Sequence, residues 1–240
     1  MTEFHYFPLA QAHLAKGVTV VVDVLRAFTT AAYAFAAGAT EIYPVSTVHE
    51  ALNLSDELPN ALTMGEVDAL KPMEFNFGNS PAMISKQNLH GKILIQRTSA
   101  GTQGIVKAVN ADRLLAASFV VCGATVAYLR RLSPQYISFI ITGDSLGRDG
   151  DEDRACAEYI EALLCGRQPE SEEYTERVKT STVGQLFLDG HHPHLAQIDL
   201  EMSIHVDAFQ FPLLVHHVNQ RLVMRTDFTG FPSMESLKIE

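Results

Sequence analysis

The sequence predicts an α/β fold built on a mainly parallel sheet, and three observations carry that expectation. Apolar, β-branched runs alternate with helix-like stretches through the first two-thirds of the chain, the pattern of βαβ units. The runs are continuously apolar, as strands buried on both faces require. Polar residues cluster just after these runs, at the edge where open α/β sheets bind ligands.

Taken in order, Val18–Val22 is a β-branched strand, and the Ala-rich Ala27–Ala37 is a helix stopped at Gly38. Glu41–Val45 is a short strand, Val48–Leu58 an amphipathic helix, and Ala61–Met64 a short strand leading into Gly65-Glu66. Residues 67–80 read as a long loop, and Pro81 suits the first turn of a helix. Lys92–Gln96 is a buried strand, followed by the polar loop Arg97–Thr102 and a helix to about Val109. Arg113–Ala117 is strand-like, Gly123–Leu132 helical, and Tyr136–Thr142 the clearest strand of all. The loop Gly143–Gly150 then precedes a helix from about Glu152 to Leu164. The last third is less regular, with a charged stretch (Glu170–Lys179), a helix near Leu195–Val206 and a β-like end at Leu222–Thr226. With no repeat, low-complexity tract or linker, the 240 residues are read as one domain, 1–240. An apolar run, Phe209–Val215, suits either a homodimer interface or the core.

Composition narrows the function. The net charge of −10 disfavours nucleic acid, which wants a basic face, and disfavours an anionic membrane surface. The most apolar stretch, Val18–Ala39, carries Asp23 and Arg26 and makes a poor membrane span. Cys122, Cys156 and Cys165 are odd in number and form no CxxC, which argues against a disulfide framework or a thiolate zinc site. No secretory signal is visible at the start. A reduced, cytoplasmic protein is expected.

Four segments place unusual polar groups at the strand ends. In the first, Asp23 closes an apolar strand and Arg26 follows three residues later. A buried carboxylate needs a partner, either Arg26 or a metal ion. Gly65-Glu66 is the second. The third, Arg97-Thr98-Ser99-Ala100-Gly101-Thr102, has the makings of an anion cradle at a helix start, though helix capping by Thr98 or Ser99 explains the same residues. It lacks the lysine of a Walker loop. The fourth, Asp144–Asp153, holds five acids in ten residues. Its register does not fit an EF-hand, and acids complement a helix dipole by default. The alternative is that Glu152 or Asp153 is an oxygen ligand for a hard cation. His191, His192 and His194 lack zinc-helix spacing and read as loop histidines.

Together, Asp23-Val-Leu-Arg26-Ala-Phe-Thr-Thr30, Gly65-Glu66, Phe75-Asn-Phe-Gly-Asn79-Ser80-Pro81, Thr98-Ser-Ala-Gly101-Thr102 and Glu152-Asp153 resemble the 2-phosphosulfolactate phosphatase family in order and spacing. The resemblance runs from about residue 18 to 165. It implies a three-layer α/β/α fold with a mixed, mainly parallel sheet. It also implies a Mg2+-dependent phosphatase that hydrolyses 2-phospho-3-sulfolactate to 3-sulfolactate and phosphate on the route to coenzyme M. One departure is that Ala100 stands where the family often has asparagine.

On that reading Asp23, Glu66 and Glu152 or Asp153 are the expected magnesium ligands, since magnesium needs only one to three carboxylates beside its waters. Arg26 and Arg97 would meet phosphate or sulfonate, and Asn79 and Ser80 would add neutral donors. Thr98, Ser99, Gly101 and Thr102 would hold the phosphate. Asp23, Arg26 and Glu66 would serve catalysis. Asp23 could be ligand or nucleophile. Leu25, where haloacid-dehalogenase-type enzymes carry a second aspartate, favours ligand and direct water attack. A non-catalytic phosphometabolite-binding module and a phosphoryl-transferring or isomerising enzyme are the competing readings.

Overall fold

The computed structural model describes residues 2–145 and 147–226. Its first half runs β1 (Glu3–Pro8), β2 (Gly17–Val22), α1 (Ala27–Ala36), β3 (Glu41–Pro44), α2 (Val48–Glu57), β4 (Ala61–Gly65), α3 (Pro81–Ile84), β5 (Ile93–Arg97) and α4 (Gly101–Lys107). The second half runs β6 (Ala111–Ala117), α5 (Cys122–Leu132), β7 (Tyr136–Ile141), α6 (Asp151–Leu164), α7 (Ser171–Thr180), α8 (Thr182–Leu188), α9 (Gln197–Ser203), β8 (Leu213–Val218) and β9 (Arg221–Thr226).

The expected elements of the first two-thirds are present within a few residues of their predicted ends. Local chemistry explains several boundaries. Thr47 caps α2 by accepting from Glu50 N–H at 3.0 Å, while the Glu50 side chain reaches back to Ser46 N–H, a reciprocal cap. Ser80 caps α3, with Pro81 in its first turn. The charged stretch after residue 170 is a helix, α7. The N-terminal strand β1, helix α8 and strand β8 have no counterpart in the sequence-based reading.

Among the described residues the strands form one nine-stranded sheet in the order β1-β7-β2-β6-β8-β9-β3-β5-β4. Two blocks, β1-β7-β2-β6 and β3-β5-β4, are parallel throughout. The antiparallel hairpin β8–β9 joins them, pairing Leu115 with Leu214 on one side and Ile42 with Met224 on the other. The apolar run Phe209–Val215 therefore supplies the middle of the sheet: Phe211 and Leu213 are buried in the core.

Helices cover both faces, giving the three-layer α/β/α arrangement. Val21, Ile140, Leu213 and Met224 pack against α1, α3 and α4 on one side. On the other, Val20, Val22, Phe139 and Ile141 pack against α5 and α6. Tyr43, Ile95 and Val223 lie under α2. The three cysteines are free thiols. No described helix is long and apolar enough to cross a membrane.

One packing detail positions the site. Helix α4 follows β5, yet it leans across to the other block. A Cβ on Gly104 would sit 2.6 Å from Val21 Cγ1 of β2 and 2.9 Å from Thr142 Cγ2, beyond β7. Only the absence of a side chain permits this approach, which carries the loop before α4 to the end of β2.

Candidate active site at the carboxyl edge of the sheet

A cleft of about 300 Å³ opens at the carboxyl ends of β2, β4 and β5. Asp23, Arg26, Glu66, Asn79, Ser99 and Arg148 are among its lining residues. Five of these six come from the sequence-predicted set, and the six arrive from four separate loops.

Asp23 is 5 % exposed. Its Oδ1 accepts from Ala27 N–H at 2.8 Å, tying it to the first turn of α1. A Cβ on Gly101 would lie 2.7 Å from Asp23 Oδ2 and 2.6 Å from Ala27 Cβ, so glycine is what lets α4 abut this carboxylate. Burial holds the Asp23 carboxyl up at about 6, with the nearby Glu66 charge adding to the effect.

Glu66 binds the loops around it. One oxygen accepts from Ser99 N–H at 2.5 Å. The other accepts from Ala69 N–H at 2.6 Å and from the Ser99 hydroxyl at 3.2 Å.

Glu152 and Asp153 begin α6 and are 3 % and 2 % exposed. Neither is a simple dipole-complementing surface acid. Asp153 spends both oxygens on the backbone, accepting from Val24 N–H and Gly143 N–H, each at 2.7 Å, and from the Thr142 hydroxyl. It thereby clamps the ends of β2 and β7 together. Glu152 Oε2 is buried and has no hydrogen-bond partner among the described residues. Burial and the facing Asp23 charge raise the Glu152 carboxyl to about 7. Asp153 is raised well above its ordinary value by burial and by both neighbouring acids.

Arg26 does not pair with Asp23. Its Nη1 donates to Asp199 Oδ2 at 2.8 Å and to the carbonyl of His194 at 3.0 Å, and its guanidinium lies over the Phe187 ring, 5.3 Å from the centroid. Asp199 Oδ1 in turn accepts from Ser80 Oγ at 2.7 Å and Ala82 N–H at 3.1 Å. Ser80 is thus occupied in fixing α3 to α9, and it does not line the cleft. Asn79 does, and its Oδ1 is buried without a partner among the described residues.

Arg97 also lies outside the cleft lining. It donates to the carbonyls of Ser46 and Glu66, bracing the loop that carries Glu66. Thr98 and Thr102 lock to each other: Thr102 N–H donates to Thr98 Oγ1 at 3.0 Å, and Thr98 N–H donates to Thr102 Oγ1 at 2.8 Å. They rigidify the start of α4, whose N-cap residue is Ala100. The exposed His194 contributes only its carbonyl.

Two residues of the site are missing from the sequence-based set. Asp199 sits in the irregular last third, more than 170 residues from Arg26, and nothing local marks it. Arg148 lies inside the acid-rich stretch 144–153, where its charge is masked by its neighbours.

The arrangement fits a hard cation in part. Among the described residues no three acid, histidine or cysteine side chains converge closely enough to enclose a metal. Magnesium does not need that many: it keeps several waters and takes one or two carboxylates with substrate oxygens. The orphaned Glu152 Oε2 and the neighbouring Asp23 meet that requirement.

Comparison with known proteins agrees with this architecture. Residues 6–206 match the family model described as 2-phosphosulpholactate phosphatase. A protein of Bacillus subtilis named probable 2-phosphosulfolactate phosphatase is 35% identical over 192 residues, covering 79% of this chain and 81% of its own. Similarly named proteins of Carboxydothermus hydrogenoformans and Thermoplasma acidophilum are 40% identical over 66% of this chain (65% of their own) and 27% over 88% (90%), respectively. With a family match spanning the strands, loops and acids of the cleft, the chain belongs to the 2-phosphosulfolactate phosphatase family.

Proposed function

We propose that this protein is a magnesium-dependent phosphatase that hydrolyses 2-phospho-3-sulfolactate, or a closely related phosphorylated hydroxy acid, to the free hydroxy acid and phosphate. The family supports the reaction class, and the link to coenzyme M formation follows from the substrate. The observation that carries the reading is the pair of buried carboxylates, Asp23 and Glu152, whose ionisation is resisted by burial and by neighbouring negative charge, that of Glu66 on Asp23 and that of Asp23 on Glu152. A divalent cation removes that repulsion, and phosphoryl transfer needs the same positive charge.

Asp23, which lines the cleft, and Glu152, buried at the start of α6 outside that lining, are the residues we assign to the magnesium, with Glu66 as a further acid of the lining. Between the two adjacent acids of α6, Glu152 has an uncommitted oxygen and Asp153 has none. When bound, the ion neutralises phosphate oxygens and lowers the pKa of a coordinated water. The chain's own groups do the positioning. Arg26, held by Asp199, and Asn79 present donors from one wall. The Thr98–Thr102 lock and Gly101 hold the α4 loop against Asp23. Hydrolysis joins a water oxygen to phosphorus, breaks the phosphorus–ester oxygen bond, and moves one proton from water to the departing alkoxide. We assign direct water attack: Asp23 already gives one oxygen to Ala27 N–H and is assigned to the metal with the other.

Phosphate release from 2-phosphosulfolactate, with magnesium and then with EDTA, tests the reading. Turnover that requires magnesium and falls at least 100-fold in a folded Asp23→Asn variant is the expected result. Turnover of a different phospho-hydroxy-acid would keep the chemistry and change the substrate. Silence across such a panel, from a folded protein that binds magnesium, would replace the enzyme with a phosphometabolite-binding module. Phosphate trapped on Asp23 after acid quench would replace water attack with a covalent route.

A further inference from the structure

Three arginines stand in or beside the cleft, and their commitments differ. Arg26 forms a buried ion pair with Asp199. Arg97 spends its donors on two backbone carbonyls and the Ser99 hydroxyl and is not among the lining residues of the cleft. Arg148, on the loop between β7 and α6, lines the cleft. It is half-buried, and its guanidinium donates to the Ser145 hydroxyl at 3.2 Å and, weakly, to the Ser145 carbonyl.

Among the described residues Arg148 has no carboxylate within ion-pair distance. It lines the same cleft as Asp23, Glu66 and Asn79. The guanidinium therefore shares a cleft with Asp23 and Glu66 without pairing with either, and is steadied by its own loop. A half-buried cation so placed keeps donors that its own loop does not use, available to a ligand in the cleft.

We propose that Arg148 is a substrate-binding residue of this site, its guanidinium taking the phosphoryl oxygens of the ester on the Asp23 side of the cleft. A guanidinium fork matches such oxygens bidentately. The assignment divides the work in the cleft. Arg148 meets the phosphoryl group on the Asp23 side. Arg26, beside Phe187 and the exposed Leu186, faces the rest of the substrate. The proposal rests on the phosphatase reading for its name, although anion binding can be tested without turnover.

The experiment is calorimetric binding of inorganic phosphate to the magnesium-loaded protein, beside the inhibition constant of phosphate in the turnover assay. Arg148→Ala is expected to weaken phosphate binding by about 10- to 100-fold, the loss of one charge-assisted contact pair. Arg148→Lys is expected to recover part of the loss, keeping the charge without the fork. Magnesium affinity and melting temperature should hold in both variants. Unchanged phosphate affinity in Arg148→Ala would overturn the assignment. So would an equal loss of magnesium binding, which marks a merely structural loop, or the absence of millimolar phosphate binding by the parent protein. Phosphate binding that depends on Arg148 in a protein that hydrolyses no ester would leave this inference standing and remove the phosphatase reading.

Discussion

Asp199 shows how far one residue can be from anything the sequence marks and still organise the site. It holds Arg26 with one oxygen and Ser80 and Ala82 with the other, at 1 % exposure. Removing one member of a buried ion pair leaves the other charge uncompensated, at a cost of about 3–5 kcal/mol. Asp199→Ala is therefore expected to lower unfolding stability by about that much in urea titration. The double change Arg26→Met with Asp199→Leu should recover most of the stability and none of the activity. A loss below about 1 kcal/mol in the single variant would show that water already screens the pair. By contrast, Asp23 and Glu66 follow apolar strands, where the sequence marks them, whereas Glu152 and Asp153 open a helix, a place acids take by default, and only their hydrogen bonds tell the two apart.

At the scale of elements, the strand runs and Ala-rich helices announce themselves, because burial on both faces leaves no polar alternation to confuse them. The exceptions are informative. β1 mixes Glu3 and His5 with Phe4 and Tyr6 because it is an edge strand, paired only to β7. Strand β8 ends in His216-His217, so half of it reads as surface. Helix α4 depends on what it lacks. Gly101→Ala would drive a methyl into Asp23 Oδ2 and Ala27 Cβ, pushing the helix start away from the acid. The expected outcome is a loss of turnover of tenfold or more with thermal melting still cooperative. Wild-type turnover in that variant would mean that the α4 start and Asp23 need no fixed spacing.

At the scale of the whole molecule, the hairpin β8–β9 is the keystone of the sheet. It is the last described part of the chain, and it sits between two parallel blocks that have no direct strand contact with each other. The family match ends at residue 206, before this hairpin begins. Truncation after residue 210 should abolish cooperative unfolding, read by circular dichroism, because β6 and β3 would each lose a neighbour in the middle of a buried sheet. A cooperative transition in the truncated chain would show that the helical layers alone hold the blocks together.

The buried acids also give the whole molecule a pH response. Asp23 rises from an ordinary 3.8 to about 6, and Glu152 from 4.5 to about 7. The folded metal-free protein thus holds protons that the unfolded chain releases, so stability falls as pH rises from about 4 through 7. After EDTA treatment the melting temperature should be lower at pH 8 than at pH 5.5, and magnesium should raise it more at pH 8. A melting temperature that is flat across this range and indifferent to magnesium would remove the acid pair as the cation site.

What the sequence determined by itself was the fold class, the order of the elements and the acids at the strand ends. Those properties follow from local periodicity and from the cost of burying a charge, and both are written in neighbouring residues. What only the tertiary structure decided was which groups have spare valence. Asp153 is consumed by backbone N–H groups and Arg97 by carbonyls, and Arg26 is fixed through one nitrogen by Asp199, while among the described residues Glu152 keeps an unpartnered oxygen and Arg148 has no carboxylate partner. Hydrogen-bond partners lie across the fold, so whether a polar group is spent or available depends on contacts that no local pattern encodes.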